Sequence, residues 1–208
     1  MVGAMNGLFR GLNHALSNRV NTLNTLLAVL QESREFDPEV VEALAAEEAK
    51  FESLLALYRL MPMEAGAGRE PLVIADPLKD ATALFSHHLD LRMHPVAVVG
   101  VDTAPPVRSQ RQLLTQLLLV MMVEVGRALE ADESGAGLEV AAAAAGDDLA
   151  VTVSAKSAVP PTETSVWASI EWIAEQLGGS ATRGVDAEGR PWARLTLMSL
   201  AAERKKGR

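Results

Sequence analysis

Leu12-Asn13-His14-Ala15-Leu16-Ser17-Asn18-Arg19-Val20 is the stretch on which the fold turns. At about 100° per residue, a helix through it gathers Phe9, Leu12, Leu16, Val20, Leu23, Leu27 and Leu30 within about 80° of arc. His14 lies about 200° from Leu12, nearly opposite that stripe, with Gly7, Gly11, Asn18, Asn21 and Thr25 on its face. The stripe predicts a long amphipathic helix. The histidine sits on its wet side, among small and amide residues, where an imidazole is available for chemistry. Taken alone it reads as an ordinary surface histidine; the rest of the chain makes it a candidate.

Reading outward, the first helix spans about Asn6 to Glu32. Arg34-Glu35-Phe36-Asp37-Pro38 makes a turn, with Asp37 as N-cap and Pro38 at the first helical position. A second helix follows from about Glu39 to Leu60, with Val40, Leu44, Phe51, Leu54, Leu55, Tyr58 and Met61 at helical spacing. A two-helix hairpin cannot bury its own stripes. It either pairs with a second copy as a homodimeric four-helix bundle, the expected solution, or packs on its own C-terminal half.

The bulk numbers bound the rest. The 208 residues hold 49% apolar and 22% charged side chains, enough for one medium or two small domains. The absence of cysteine excludes disulfides, thiolate metal sites and a cysteine nucleophile. A net charge of −8 argues against nucleic acid as a partner. No apolar run approaches a membrane span and the N-terminus lacks a leader pattern, so a soluble cytoplasmic protein without a membrane partner is expected. The tail Arg204-Lys205-Lys206-Gly207-Arg208 reads as a frayed basic end.

Three regions follow: a hairpin over 1–62, a second domain over 70–200 and the tail over 201–208, with a Gly-, Pro- and Met-rich linker at 61–69. In the second domain, strands are expected at Glu70–Ala75, Pro95–Val101, Leu138–Ala145, Leu149–Ala155, Ser180–Val185 and Trp192–Met198. Helices are expected at Asp76–Met93, Arg108–Ala131 and Thr162–Leu177, the last ended by Gly178-Gly179. The class is α+β: a hairpin, then an α/β sandwich with its helices on one face of a mixed sheet.

This order of elements resembles a sensor histidine kinase core, in which a dimerisation and histidine-phosphotransfer hairpin precedes an ATP-binding domain of the Hsp90/gyrase (GHKL, or Bergerat) type. The resemblance covers roughly Asn6 to Met198. The kinase phosphoacceptor segment reads His-acidic-x-x-Asn/Thr-Pro; His14-Ala15-Leu16-Ser17-Asn18-Arg19 keeps the histidine and the amide but not the acid or the proline. The helix that carries the family's ATP- and Mg²⁺-binding asparagines is here Leu118-Leu119-Val120-Met121-Met122-Val123-Glu124-Val125, with no asparagine. The Asp-x-Gly-x-Gly loop is replaced by Ala155-Lys156-Ser157-Ala158-Val159-Pro160-Pro161, and Trp167 stands where phosphates would need space. Ile170 to Gly179 keeps the family's helix and Gly-Gly turn.

The fold pattern persists while the nucleotide pattern is gone, so the chain resembles the dimeric histidine phosphotransferases of the ChpT type. The resemblance implies transfer of phosphoryl between receiver-domain aspartates of response regulators through His14. It implies no cofactor bound by this chain, no autokinase activity, and Mg²⁺ brought by the receiver. Asn18, one turn on, orients the imidazole, holds a water for dephosphorylation, or is a solvated amide that does neither. Arg10 attracts an acidic pocket or a phosphoryl oxygen, or is a generic surface arginine. Ser17, Asn21 and Thr25 extend the docking face, and Gly7 and Gly11 leave room for a receiver helix. His87, His88 and His94 read as surface or boundary residues, and Met121, Met122, Trp167 and Trp172 as packing residues. The alternative is a pseudokinase scaffold that sequesters a response regulator or kinase, with His14 incidental. An active kinase with unusual ATP contacts is a distant third reading.

Overall fold

Two apolar periodicities, one helical and one alternating, organise the chain. The computed structural model describes residues 2–33, 38–59, 68–129, 135–158 and 166–206, without the side chains of 2–6, 32 and 33. The helical period builds α1 (Val2–Ser33) and α2 (Pro38–Arg59), packed as a hairpin. The turn with Asp37 and most of the linker lie outside the described residues.

The alternating period builds the sheet. β2 (Val96–Val99), β4 (Leu138–Ala145), β5 (Asp148–Ala155), β6 (Gly179–Val185) and β7 (Pro191–Met198) form five strands in the order β2-β4-β5-β7-β6. Only the β2–β4 pair is parallel. β4 and β5 join through Gly146-Asp147, where Gly146 takes the positive φ of 64° that a two-residue hairpin requires. Leu149, Val151, Val153 and Ala155 of β5 and Ala193, Leu195 and Leu197 of β7 point to one buried face. On that face lie α4 (Arg111–Gly126), continued as a 3-10 turn to Leu129, and α5 (Trp167–Gln176). α4 is buried on nearly every side from Leu114 to Val123, Met121 and Met122 included. Arg111–Leu129 is long and apolar enough to cross a membrane, but 78% of its most apolar 18-residue stretch is buried inside the fold, as in a core helix.

Several expected boundaries are corrected. β1 is only Glu70–Leu72 and pairs antiparallel with an unexpected β3 (Val107–Ser109). α3 spans Ala75–Phe85 rather than 76–93; Asp76 lies in its first turn and supplies no side-chain cap. Past Phe85 the chain tightens into turns, with His87 N–H donating to the Leu84 carbonyl and His88 N–H to that of Phe85, and the Leu89 N–H then donates to the carbonyl of Gly7 in α1. The basic end forms a short helix, α6 (Leu200–Lys206), with Arg108 paired to Glu203 and Lys205 to Asp147.

The hairpin packs in part on its own C-terminal half. Leu8 and Leu12 are fully buried in the common core and α1 touches α4. The same helix leaves Phe9 40%, Val20 44% and Leu27 47% exposed. These three fall within about 20° of one another around α1. The sequence stripe therefore divides into a buried edge and an uncovered one.

Candidate functional site

His14 lies mid-helix on the exposed face of α1, two turns beyond the buried contact at Leu8. Its Nε2 receives the side-chain amide of Asn18 at 3.3 Å. With the amide nitrogen as donor, this bond suits the tautomer that carries the ring proton on Nδ1. The bond is at the long end of the useful range, so it sets ring orientation while remaining easy to exchange.

The other expected site residues are all exposed on the same helix. Asn21 and Thr25 continue the His14 face, with the Thr25 hydroxyl donating to the Asn21 carbonyl at 3.0 Å. Arg10 and Ser17 flank it, rotated by about 40° and 60° from His14. Of the expected residues, the structure brings Asn18 into contact with His14.

Gly7 and Gly11 are not open to a partner. Both are buried under the turn that follows α3. A Cβ on residue 11 would stand 1.7 Å from the carbonyl oxygen of His87, and one on residue 7 would stand 2.5 Å from the His88 ring. The glycines serve a close approach, but to the chain's own second domain. His88 is correspondingly buried and His87 half-buried, not surface residues. Burial, and then the positive charge of Arg19, hold the His87 pKa below the ordinary histidine value. His94 is half-buried, with Nδ1 at 2.8 Å from the Ala136 carbonyl.

Arg19, which stands where kinases carry proline, reaches across the hairpin to Glu47 of α2 at 2.8 Å. Glu47 is nearly buried and also holds Lys50 at 2.8 Å. Hydrogen bonds from Lys50 and Arg19 hold its carboxyl below the usual glutamate range. Glu47 and Lys50 stand three residues apart on α2, a spacing the sequence displays, but Arg19 lies 28 residues before Glu47 on the other helix, where no spacing reveals it.

In the second domain, Glu124 lies at the wall of a cavity of about 40 Å³, with Val125, Ala128, Trp167, Arg183, Gly184, Trp192 and Ala193 around it. Trp167 donates through Nε1 to Glu171 at 2.8 Å, and the Arg183 guanidinium lies 5.0 Å over its ring. That space holds a water or two, against roughly 300–1,000 Å³ for a small-molecule site. Trp172, by contrast, is 53% exposed and is not a packing residue. Among the described residues no group of three His, Cys, Asp or Glu side chains is placed to hold a metal.

Neither a protein-family model nor a curated protein matches the sequence. Solved structures do. The histidine kinase ThkA, crystallised in complex with the response regulator protein TrrA, superposes with a TM-score of 0.51 at 12% identity; the match covers 95% of this chain and 63% of that one. Acinetobacter baumannii histidine kinase AdeS matches with a TM-score of 0.47 at 12% identity, over 90% of this chain and 98% of that one. A bacterial phosphotransferase matches with a TM-score of 0.43 at 14% identity, over 94% and 96%. At these identities the likeness concerns fold: a helical hairpin followed by the α/β domain of histidine kinases.

Proposed function

We propose that the chain is a dimeric histidine phosphotransferase of a two-component phosphorelay, with His14 as the phosphoacceptor. It passes phosphoryl between the receiver domains of response regulators and does so without ATP. The observation that carries this reading is the pairing of an exposed, amide-oriented imidazole with a second domain whose space beside Glu124 is filled by Trp167.

The chemistry needs little from this chain. The Nε2 lone pair attacks the phosphorus of a receiver aspartyl phosphate in line; the P–O bond to aspartate breaks and the carboxylate leaves with the electron pair. The Nδ1 proton of the ring passes to solvent. Asn18 then exchanges its bond to Nε2 for one to a phosphoryl oxygen. Transfer to a second receiver reverses these steps. Mg²⁺ and lysine for charge neutralisation belong to the receiver, so the loss of the acidic neighbour at Ala15 is tolerable.

The open face runs from His14 through Asn18 and Asn21 to Thr25, with Arg10 and Ser17 at its edge. A receiver approaches there, since the turns before His14 are covered. The uncovered strip of Phe9, Val20 and Leu27, with exposed Val41 and Tyr58 on α2, supports pairing with a second copy into a four-helix bundle bearing two sites. The expected setting is the cytoplasm, where receivers reside. The test is acid-labile label on His14, located by mass spectrometry after incubation with a phosphorylated receiver; stable binding without label would favour the scaffold reading instead.

A further inference from the structure

The two ends of the five-stranded sheet are not alike. β6, at one end, has α5 against it. β2, at the other, is bonded on one side only, parallel to β4. In a parallel ladder alternate residues give their N–H and C=O to the neighbouring strand, and those between turn theirs the other way. Among the described residues no strand takes the groups that β2 turns outward. An edge of this kind is a template for one more strand.

The space that such a strand needs is open. Val96 and Val98 pair with Leu138 and Val140, which are fully buried, so both valines face the helix layer. Val96 packs on the core, but Val98 stays 38% exposed. Beside it lies a groove of about 480 Å³, within the range of roughly 300–1,000 Å³ that binding sites occupy. Val98 and Val101 line one side, and α3 lines the other with Leu78, Lys79, Thr82 and Ala83. A strand added to β2 places every second side chain on the Val98 face, into this groove and against α3.

Charge selects the occupant. Lys79 is the one charged side chain in the lining, is exposed, and forms no ion pair among the described residues. Asp80 is held by Arg111, and Asp76 and Asp102 lie outside the lining. A second copy paired edge to edge about a two-fold axis would bring two Lys79 ammonium groups towards one seam, and the lining it contributes holds no carboxylate. We propose that the free edge of β2 and the groove beside α3 bind an extended peptide segment of a partner protein, with apolar side chains at alternate positions and an acidic one to meet Lys79. The site lies on the second domain, not on the helix that bears His14, and is independent of phosphotransfer.

A display library of random peptides of about twelve residues, selected on the full chain, supplies the probe. The expected consensus alternates apolar residues around an acid. The synthetic consensus peptide is expected to slow amide hydrogen exchange at Val96–Val99. It is expected to bind Ala83→Trp, which fills the groove, at least about tenfold more weakly, and Lys79→Glu about fivefold more weakly. Lys79 is exposed, so its variant keeps the fold and decides the question even where Ala83→Trp does not fold. No enriched consensus, a peptide that binds either variant as tightly as wild type, or a bound peptide that protects other strands instead would each overturn the proposal. Protection of Val96–Val99 that grows with protein concentration in the absence of peptide would assign the edge to a second copy and overturn it as well.

Discussion

The side-chain amide of Asn18 donates to Nε2 of His14 across 3.3 Å, one turn further along the same exposed helix face. That bond suits the Nδ1–H tautomer and orients the exposed ring. Asn18→Ala removes it without touching the core. The expected outcome is loss of about 1 kcal/mol of positioning, or roughly fivefold in the rate of label uptake by His14. Rapid-quench transfer measures the rate, and imidazole ¹⁵N shifts report the tautomer; a variant with unchanged rate and tautomer balance would assign Asn18 no role.

Glu47 predicts a pH dependence. Its pKa is lowered in the folded chain by Lys50 and Arg19. A depressed carboxyl stabilises the fold above its unfolded value and loses that contribution as pH falls through its folded one. Glu47→Gln is expected to unfold at lower urea than wild type at pH 7. The two should converge as pH drops below the ordinary glutamate value of 4.5. Urea midpoints across that range check both halves of the expectation.

The two edges of the α1 stripe should respond differently. Leu12 is fully buried inside one chain, so Leu12→Ala is expected to cost about 2–5 kcal/mol of stability whatever the protein concentration. Val20→Glu with Leu27→Glu changes exposed positions and is expected to yield folded monomers in sedimentation equilibrium. A wild type that is already monomeric at micromolar concentration would remove the bundle from the proposal.

Trp167 is expected to be a packing residue in a space that no nucleotide enters. Trp167→Ala should lower stability by roughly 3–5 kcal/mol, since it leaves a cavity and breaks the bond to Glu171 and the stack with Arg183. Titration calorimetry with Mg·ATP should show no saturable heat for wild type or variant. Tight binding by wild type would restore the kinase reading.

The sequence made the hairpin and the sheet legible for a physical reason: both have periods. The strand expected at Leu138–Ala145 is β4 with the same bounds, and Gly178 closes α5 at a φ of 76°. Three-residue strands such as Val107–Ser109 have no period to detect. The helical spacing that suggests α3 to Met93 does not reveal its end at Phe85, where the chain tightens into turns and Leu89 reaches the Gly7 carbonyl of α1. At the site, helical geometry was enough to join His14 and Asn18. It was not enough to see that Gly7 and Gly11, on the same face, are covered by His87 and His88. Angular position around a helix says which residues share a side, and not what the rest of the chain lays upon it. The Arg19–Glu47 pair was hidden for the same reason.

The most direct measurement is transfer of ³²P from a panel of phosphorylated receiver domains to wild type and to His14→Ala. Acid-labile label on wild type, absent from His14→Ala, together with passage of that label to a second receiver, is the predicted result. Receivers that bind both proteins equally and leave no label on wild type would contradict phosphotransfer through His14.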